Sequence, residues 1–205
     1  EYCDLFFVSS SESLGNMPEE IEKIKPFCKQ ILIRKNSGYD FGCWSHVIRK
    51  NYSELCEYEG VLLANDSNWG PLNDFSDTFS KINSFLTEVD FVGLTSSTTP
   101  TWHLQSFFVM YSRKVFTAPY FKQHWFNVGI YEHKFDIIMN YEVSWCTRLK
   151  RLGFHGMSLY VDSSAANPTH VDWEKLLDNK YPYLKKELIR DNPLRIDVSR
   201  LSNIL

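Results

Sequence analysis

Short apolar runs alternate with longer segments of mixed polarity along the whole chain. Contiguous apolar runs are typical of buried strands, and they predict strands in CDLFFVSSS (3–11), KQILIRKN (29–36), GVLLAND (60–66), VDFVGLTSS (89–97), HLQSFFVMYSRKVF (103–116) and FHGMSLYVD (154–162). Apolar residues at helical spacing, with prolines and glycines at the segment ends, predict helices in MPEEIEKIKPF (17–27), 44–51, LNDFSDTFSKINSFL (72–86), FKQHWFNV (121–128), FDIIMNYEVSWCTRLKRLG (135–153), WEKLLD (173–178) and YPYLKKELIRDNP (181–193).

Strands that alternate with helices in this way predict an α/β fold with a mainly parallel sheet. We expect one domain over residues 1–205 with a helical C-terminal tail. Polar clusters follow several predicted strands, namely 9–11, 36–40, 65–67 and the Ser/Thr run after Leu94. Because ligands of parallel α/β sheets bind at the carboxyl ends of the strands, these clusters predict a binding site along one rim.

Composition narrows the class of protein. Apolar residues make up 43% of the chain and charged residues 23%, which is ordinary for a folded domain, whereas aromatics reach 16%. We expect most of these rings to pack in a core and a few to stack on sugars or bases. The net charge is −3 and long basic runs are absent, which argues against a nucleic-acid partner. No apolar run approaches the roughly 18 to 20 residues that span a bilayer.

The cysteines and the start of the chain suggest where the protein works. Five cysteines occur, an odd number, and none has C-x-x-C spacing, so we expect neither a zinc site nor a disulfide framework. A reducing compartment follows from that expectation. The sequence shows no signal peptide and enters strand-like LFFVSS almost at once. We therefore expect it to be part of a longer polypeptide with elements upstream.

The triplet Asn65-Asp66-Ser67 interrupts an apolar strand with a carboxylate between an amide and a hydroxyl. Such oxygen ligands suit Mg²⁺ or Mn²⁺, and the metal would in turn carry a diphosphate. The alternative is an Asx turn that only shapes the loop. A second loop, NSGYDFGCW, has glycines on both sides of Asp40. Gly38 would allow close backbone approach to a nucleotide, or Asp40 would simply cap the next helix.

Three further positions are candidates for chemistry. Strand alternation puts His103 and Gln105 on one face and Ser106 on the other, so the first two would point into a cleft unless His103 is a core histidine. Glu142 lies one helical turn from Ile138 and Cys146 in an apolar helix, where an inward carboxylate would suit proton transfer unless it faces solvent. His170 would bind metal or phosphate, or else lie on the surface. Nucleophile-elbow and phosphate-loop motifs are absent.

Taken in order, RKNSGYDFGCW, VLLANDSNWGPL, FVGLTSS, WHLQSFFVMYS, NYEVSWCTRL and NPLRI resemble the rhamnan synthesis protein F family over about residues 30–195. The resemblance implies a bacterial protein of cell-surface polysaccharide assembly, of lipopolysaccharide O-antigen, capsule or rhamnan type. The family in turn resembles glycosyltransferases of the GT-A fold, whose Rossmann-like sheet carries a nucleotide-sugar donor. It therefore implies a hexosyl- or deoxyhexosyltransferase.

The resemblance also implies roles for individual residues. In GT-A enzymes an Asp-x-Asp triplet ends a strand and binds the metal, and only Asp66 of this triplet is a carboxylate. It implies Mg²⁺ or Mn²⁺ at Asp66 and His170. It also implies Asp66 and Glu142 as catalytic residues, with Glu142 as the base if the enzyme inverts configuration and without that role if it retains configuration. The remaining implied contacts are to the donor through Ser9, Asn36, Gly38, Asp40, Asn65 and Ser67, and to sugars through Trp69, His103, Gln105 and Ser106.

The implied partners are a nucleotide-sugar donor and a glycan or lipid-linked glycan acceptor. The implied location is cytoplasmic, with peripheral association at the inner face of the cell membrane. Two other classes stay open. A carbohydrate-binding or scaffolding domain could keep this fold without catalysis, and the single carboxylate of the triplet favours it. A hydrolase or phosphotransferase would need an activated nucleophile or a phosphate loop.

Overall fold

The computed structural model describes residues 3–131, 133–163, 165 and 167–203. Within these residues no helix is both long enough and apolar enough to cross a bilayer. The strands are β1 (Phe6–Ser9), β2 (Gln30–Ile33), β3 (Gly60–Ala64), β4 (Asn68–Trp69), β5 (Phe91–Ser97), β6 (His103–Leu104), β7 (Phe108–Ser112), β8 (Gly156–Ser163) and β9 (Leu184–Lys185). The helices are α1 (Glu12–Gly15), α2 (Pro18–Ile24), α3 (Tyr39–Leu55), α4 (Ser76–Phe85), α5 (Arg113–Phe116), α6 (Pro119–Phe126), α7 (Lys134–Ile137), α8 (Ser144–Arg151), α9 (Pro168–Val171), α10 (Trp173–Asp178) and α11 (Lys186–Arg190).

The α/β class is confirmed, and two predicted elements are subdivided. The predicted strand 103–116, with its predicted turn at Ser112-Arg113, is two strands, β6 and β7, because the chain turns at 105–107, and the residues after Ser112 form helix α5. The predicted helix 135–153 contains a π-helical segment, Ile138–Val143, between α7 and α8. A π-helical turn holds one more residue than an α-turn, and such segments are frequent at functional sites. The predicted C-terminal tail is helical in α9, α10 and α11, with β9 inserted between the last two.

The described residues fall into two compact units. The first comprises those of Glu1–Glu59 and Phe116–Tyr141. In it β1 and β2 pair in parallel, with Ser9 opposite Ile33. Helix α3 packs on α6, where the ring of Phe41 stacks on Trp125 with centroids 5.8 Å apart. The turn before α3 is tight, because a Cβ on Gly42 would lie 1.9 Å from the carbonyl oxygen of Ser37. A glycine is therefore required there.

The second unit comprises Gly60–Val115 and the described residues of Glu142–Leu205. Its sheet has the order β3-β7-β5-β6, and β8 also pairs with β5. The pairs β3–β7, β5–β7 and β5–β6 are antiparallel, and β5–β8 is parallel. The prediction of a mainly parallel sheet is thus corrected to a mixed sheet. Parallel neighbours need a crossover of a dozen or more residues, and the loop of residues 98–102 between β5 and β6 is too short for one.

The core of the second unit centres on β5. Phe91, Val92 and Leu94 are fully buried, and Ile82 of α4 packs in one cluster with Val92 and Leu94. The ring of Phe91 lies over Gly156 of β8, where an added Cβ would come within 2.3 Å of the ring. A small residue on β8 thus makes room for a large one on β5, which is the size complementarity of close-packed interiors.

Asp90, at the entrance to β5, ties three segments of this unit together. Its Oδ1 accepts a hydrogen bond from Lys114 Nζ at 2.7 Å and its Oδ2 one from the backbone N–H of His155 at 2.8 Å. Burial acts to raise the pKa of the Asp90 carboxyl, but the bonds from Lys114 and His155 outweigh it and hold the pKa below its ordinary value of 3.8. The ionised form is therefore the one that stabilises the fold.

We expect Asp90→Asn to lower the stability of the second unit at neutral pH by an amount that shrinks in acid. A carboxyl whose pKa is depressed by folding stabilises the protein above its unfolded pKa and stops doing so as the pH falls through its lower folded pKa. Urea midpoints of both proteins should converge as the pH is lowered from 7 to about 3. A midpoint difference that is the same at every pH would show that the charge of Asp90 is not the cause.

Candidate active site

Glu142 is a partly buried carboxylate whose position is fixed by one residue. The backbone N–H of Ser106 donates to Glu142 Oε2 at 2.7 Å, and the Ser106 hydroxyl donates to the same oxygen. Only 15% of the Glu142 side chain is exposed, so it faces inward as the helical spacing predicted. Two donors on one oxygen orient the carboxylate and leave Oε1 as the oxygen available for chemistry.

His103 faces that second oxygen. Its Nδ1 donates to the carbonyl of Thr101 at 2.8 Å, which fixes the proton on Nδ1, since a carbonyl can only accept. Its Nε2 is 3.8 Å from Glu142 Oε1, which is beyond hydrogen-bond distance. The gap is too narrow for an oxygen to lie between the two atoms, but a hydroxyl group or a water beside them can contact both. His103 is buried, as a core histidine would be, but the edge of its ring faces the Glu142 carboxylate.

Gln105 supports the turn that carries Ser106. Thr95 donates to its Oε1 at 2.7 Å, and its Nε2 donates to Asn167 Oδ1 at 3.2 Å. The Gln105 backbone N–H also donates to the carbonyl of Thr95 at 3.0 Å. These bonds anchor the 105–107 turn to β5, so Ser106 meets Glu142 with little freedom. The predicted contact of Gln105 with a sugar stays a prediction.

The thiol next to this group of residues is not a nucleophile. Cys146 lies one turn after Glu142 and is fully buried, and burial raises the pKa of its thiol to about 12. Its sulfur accepts a hydrogen bond from the backbone N–H of Leu104 at 3.4 Å. Because the thiolate is the reactive form, Cys146 is inert at neutral pH and helps position β6 instead. All five cysteines are free thiols.

The Asn65–Ser67 triplet forms a turn with lysines beside it. Asn65 Oδ1 accepts from the backbone N–H of Ser67 at 3.0 Å, which is the Asx turn of the alternative interpretation. Lys185 Nζ donates to Ser67 Oγ at 2.9 Å. Lys186 Nζ lies 3.5 Å from Asp66 Oδ2, and the Asp66 side chain is almost fully exposed. The carboxylate therefore has a lysine as its nearest described cation.

His170 has a different carboxylate partner. It is 1% exposed, and its Nε2 is 3.4 Å from Glu187 Oε2. Among the described residues, no group of three His, Cys, Asp or Glu side chains is arranged to hold a metal ion, and His170 is no exception. Asp66 beside a lysine and His170 beside Glu187 do not fit a shared Mg²⁺ or Mn²⁺ site. Binding of either metal stays a prediction.

The other predicted contacts divide between the two units. Ser9 ends β1 and accepts a hydrogen bond from the backbone N–H of Ser11 at 3.1 Å. Asn36 is exposed in the loop after β2, and Asp40 is exposed in the first turn of α3. Gly38 precedes α3 with φ +82°, a conformation that favours glycine. In the second unit, Trp69 of β4 is 42% exposed, as a sugar-stacking ring would need to be. Their roles stay predictions.

The sequence pattern described as rhamnan synthesis protein F matches residues 5–203. An uncharacterized protein of Sinorhizobium fredii, y4gN, is 28% identical over 142 residues, which are 67% of this chain and 37% of that protein. Virulence protein VirA of Vibrio anguillarum is 28% identical over 203 residues, covering 81% of this chain and 64% of that protein.

The family match runs through both compact units. It includes β1 at one end, the Ser106–Glu142 contact in the middle and α11 towards the other end. The chain spans less than two thirds of the length of the curated relatives above. A match over nearly all of the described residues identifies the family independently of any single motif. The chain belongs to the rhamnan synthesis protein F family.

Proposed function

We propose that the chain is a glycosyltransferase domain of GT-A type that moves a sugar from a nucleotide-sugar donor to a growing bacterial surface polysaccharide. The observation that carries the proposal is the Glu142 carboxylate, held by Ser106 through one oxygen and facing His103 with the other. The family name supplies the polysaccharide, and the α/β fold is compatible with a donor site. Neither feature alone distinguishes transfer from binding.

Transfer with inversion at the anomeric carbon needs a base, whereas transfer with retention would not give Glu142 this role. An acceptor hydroxyl attacks the anomeric carbon of the donor sugar, its C–O bond forms, and the bond between that carbon and the diphosphate breaks. The hydroxyl proton must leave as the new bond forms, and Glu142 Oε1 is the described acceptor best placed for it. Its exposed fraction of 15% leaves it reachable but shielded from bulk water, which suits a general base.

Ser106 and His103 then act as positioning residues. Ser106 occupies Oε2 and prevents the carboxylate from rotating, so Oε1 stays directed at the substrate. His103 Nε2 lies 3.8 Å from Oε1, so an acceptor hydroxyl that approaches Oε1 also meets the imidazole. Holding reacting groups in register in this way is a large part of enzymatic rate enhancement.

A carbohydrate-binding domain without catalysis is the second candidate. The observation that favours it is the Asx turn at Asn65–Ser67, where the single carboxylate lies beside Lys186 and lacks the second acidic residue of an Asp-x-Asp triplet. Such a domain would use exposed rings such as Trp69 to bind glycans. It would bind oligosaccharide without binding a nucleotide.

A thermal-shift panel of nucleoside diphosphates and their sugars separates the two candidates. A ligand at about 100 times its Kd adds about 2.7 kcal/mol to stability, which for a chain of this length raises Tm by roughly 5–10 °C. We expect one nucleotide family to give this shift, with the matching free nucleoside as the inactive control. Shifts with oligosaccharides and with no nucleotide would support the second candidate and count against transfer.

A further inference from the structure

Two lysines approach the Asn65–Ser67 triplet from the segment that enters α11. Lys185 Nζ lies 2.9 Å from Ser67 Oγ, and Lys186 Nζ lies 3.5 Å from Asp66 Oδ2. The backbone fixes this approach, because the N–H of Lys186 donates to the carbonyl of Ser67 at 3.0 Å. Antiparallel pairing of β4 with β9 also sets Asn68 opposite Lys185. The backbones of both lysines are therefore held against the turn, within reach of its side chains.

The charges at this turn favour an anion. Lys185, Lys186 and Asp66 together carry two positive charges and one negative charge, a net charge of +1. A divalent cation on Asp66 would lie within a few ångströms of the Lys186 ammonium and be repelled by it. A phosphate group is attracted instead, since a lysine ammonium presents three donors and binds phosphate as a point charge. The Ser67 hydroxyl adds one more donor.

The same turn is linked to the candidate base. Lys185 Nζ lies 5.6 Å from the ring centroid of Phe107, within reach of a cation–π contact. Phe107 follows Ser106, the residue that holds Glu142. The 105–107 turn thus contacts an ammonium group at one residue and a carboxylate at the next. A nucleotide sugar has an anionic diphosphate on one side of its anomeric carbon and is attacked by a hydroxyl from the other side. It would need a positive charge near the diphosphate and a carboxylate near the attacking hydroxyl.

We infer that Lys185, Lys186 and Ser67 bind the diphosphate of the donor directly, so that lysine ammonium groups supply the positive charge expected of a metal ion. Asp66 is then the counter-ion of Lys186 in the free protein and is displaced by the incoming diphosphate. The inference rests on the proposed function for the identity of the donor. The anion site itself is a property of the turn.

Calorimetric titration with inorganic pyrophosphate, and with the nucleoside diphosphate that gives the largest thermal shift, tests the inference. Each ligand is titrated in EDTA and again in Mn²⁺. We expect binding to persist in EDTA and to weaken as the salt concentration rises. Lys185→Gln and Lys186→Gln should each weaken it about tenfold, which is the effect of losing one charged hydrogen bond. Lys186→Arg, which keeps the charge, should retain most of it.

Asp66→Asn separates the two sources of charge. If the lysines bind the diphosphate, removing the competing carboxylate leaves binding unchanged or tightens it. If Asp66 holds a metal ion, the same variant loses binding, and so does the wild type in EDTA. Lys175→Gln, at an exposed position of α10, is the matched control and should bind like the wild type. The Tm of each variant without ligand confirms that it is folded.

Each result bears on one claim. Binding that requires Mn²⁺ and is lost in Asp66→Asn would overturn the lysine site and leave the proposed transferase in place. Lysine-dependent binding of pyrophosphate in EDTA, without binding of any nucleotide, would support the anion site and count against the transferase. No binding of pyrophosphate or nucleotide under either condition would overturn the inference.

Discussion

Glu142→Gln is expected to lower kcat for sugar transfer by roughly 10²–10⁴, which is the usual contribution of a positioned base. The amide has nearly the same size, and its oxygen can still accept the Ser106 N–H that bonds Oε2 at 2.7 Å in the wild type. It has no basic oxygen to take the acceptor proton. The Kd for the nucleotide sugar should change less than about threefold, since the base acts on the acceptor.

The matched control for this substitution is Glu174→Gln, at an exposed position of α10. It removes the same charge from the same unit and should leave kcat unchanged. Ser106→Ala should give an intermediate loss, because it removes the hydroxyl bond and keeps the backbone bond to Glu142. A folded Glu142→Gln protein with kcat within about threefold of wild type would remove Glu142 from the chemistry.

Phe91→Ala is expected to destabilise the second unit by about 3–5 kcal/mol, the usual result of truncating a buried phenylalanine. Phe91 is fully buried at the start of the central strand β5. Its ring stacks near Tyr111 with centroids 6.2 Å apart and meets Trp102 edge-on at 6.4 Å. Urea unfolding followed by tryptophan fluorescence measures the loss, because Trp102 is beside the cavity that the substitution creates.

Two further variants show whether the cavity is the cause. Phe91→Leu keeps most of the volume and should cost less than about 1.5 kcal/mol. Gly156→Ala alone should clash with the Phe91 ring, whose Cε2 lies 2.3 Å from the added Cβ. In the double variant Phe91→Ala, Gly156→Ala the new methyl enters the cavity. The double variant should therefore lose less unfolding free energy than the two single variants lose together. Strict additivity, or a loss under about 1 kcal/mol for Phe91→Ala, would contradict this description of the core.

The positions of most elements follow from local sequence, but strand direction does not. The apolar runs that predicted β3, β5 and β8 are strands in the structure, because a contiguous apolar run is a signal that lies within the segment itself. The prediction of a mainly parallel sheet assumed that a helix connects each strand to the next. It fails where β5, β6 and β7 are joined by loops, and where β7 inserts between β3 and β5. Insertion order is a property of the whole sheet.

The candidate site was predictable in part. Glu142 could be placed facing inward because helical spacing relates it to buried Cys146 four residues later. Ser106 could not be matched to it, because strand alternation put Ser106 on the face opposite His103. The chain leaves β6 after Leu104 and turns, and this turn brings both residues to the same carboxylate. Alternation applies only within an unbroken strand.

The contacts of Lys185 and Lys186 with the triplet could not be predicted from the sequence. Lys185 and Lys186 are 118 and 120 residues from their partners Ser67 and Asp66. The pairing depends on β4 and β9, which have two residues each and no apolar run to mark them. A two-residue strand forms only where the surrounding fold presents a partner, so its sequence carries almost no signal of its own.

The most direct test of sugar transfer follows the donor itself by NMR. The chain is mixed with the nucleotide sugar that gives the largest thermal shift and with a candidate acceptor glycan, and the ³¹P and anomeric ¹H signals are recorded over time. We predict that free nucleoside diphosphate appears in step with a new glycosidic anomeric signal, and that both appear roughly 10²–10⁴ times more slowly with Glu142→Gln. A donor that binds but stays intact with every acceptor tested would contradict transfer.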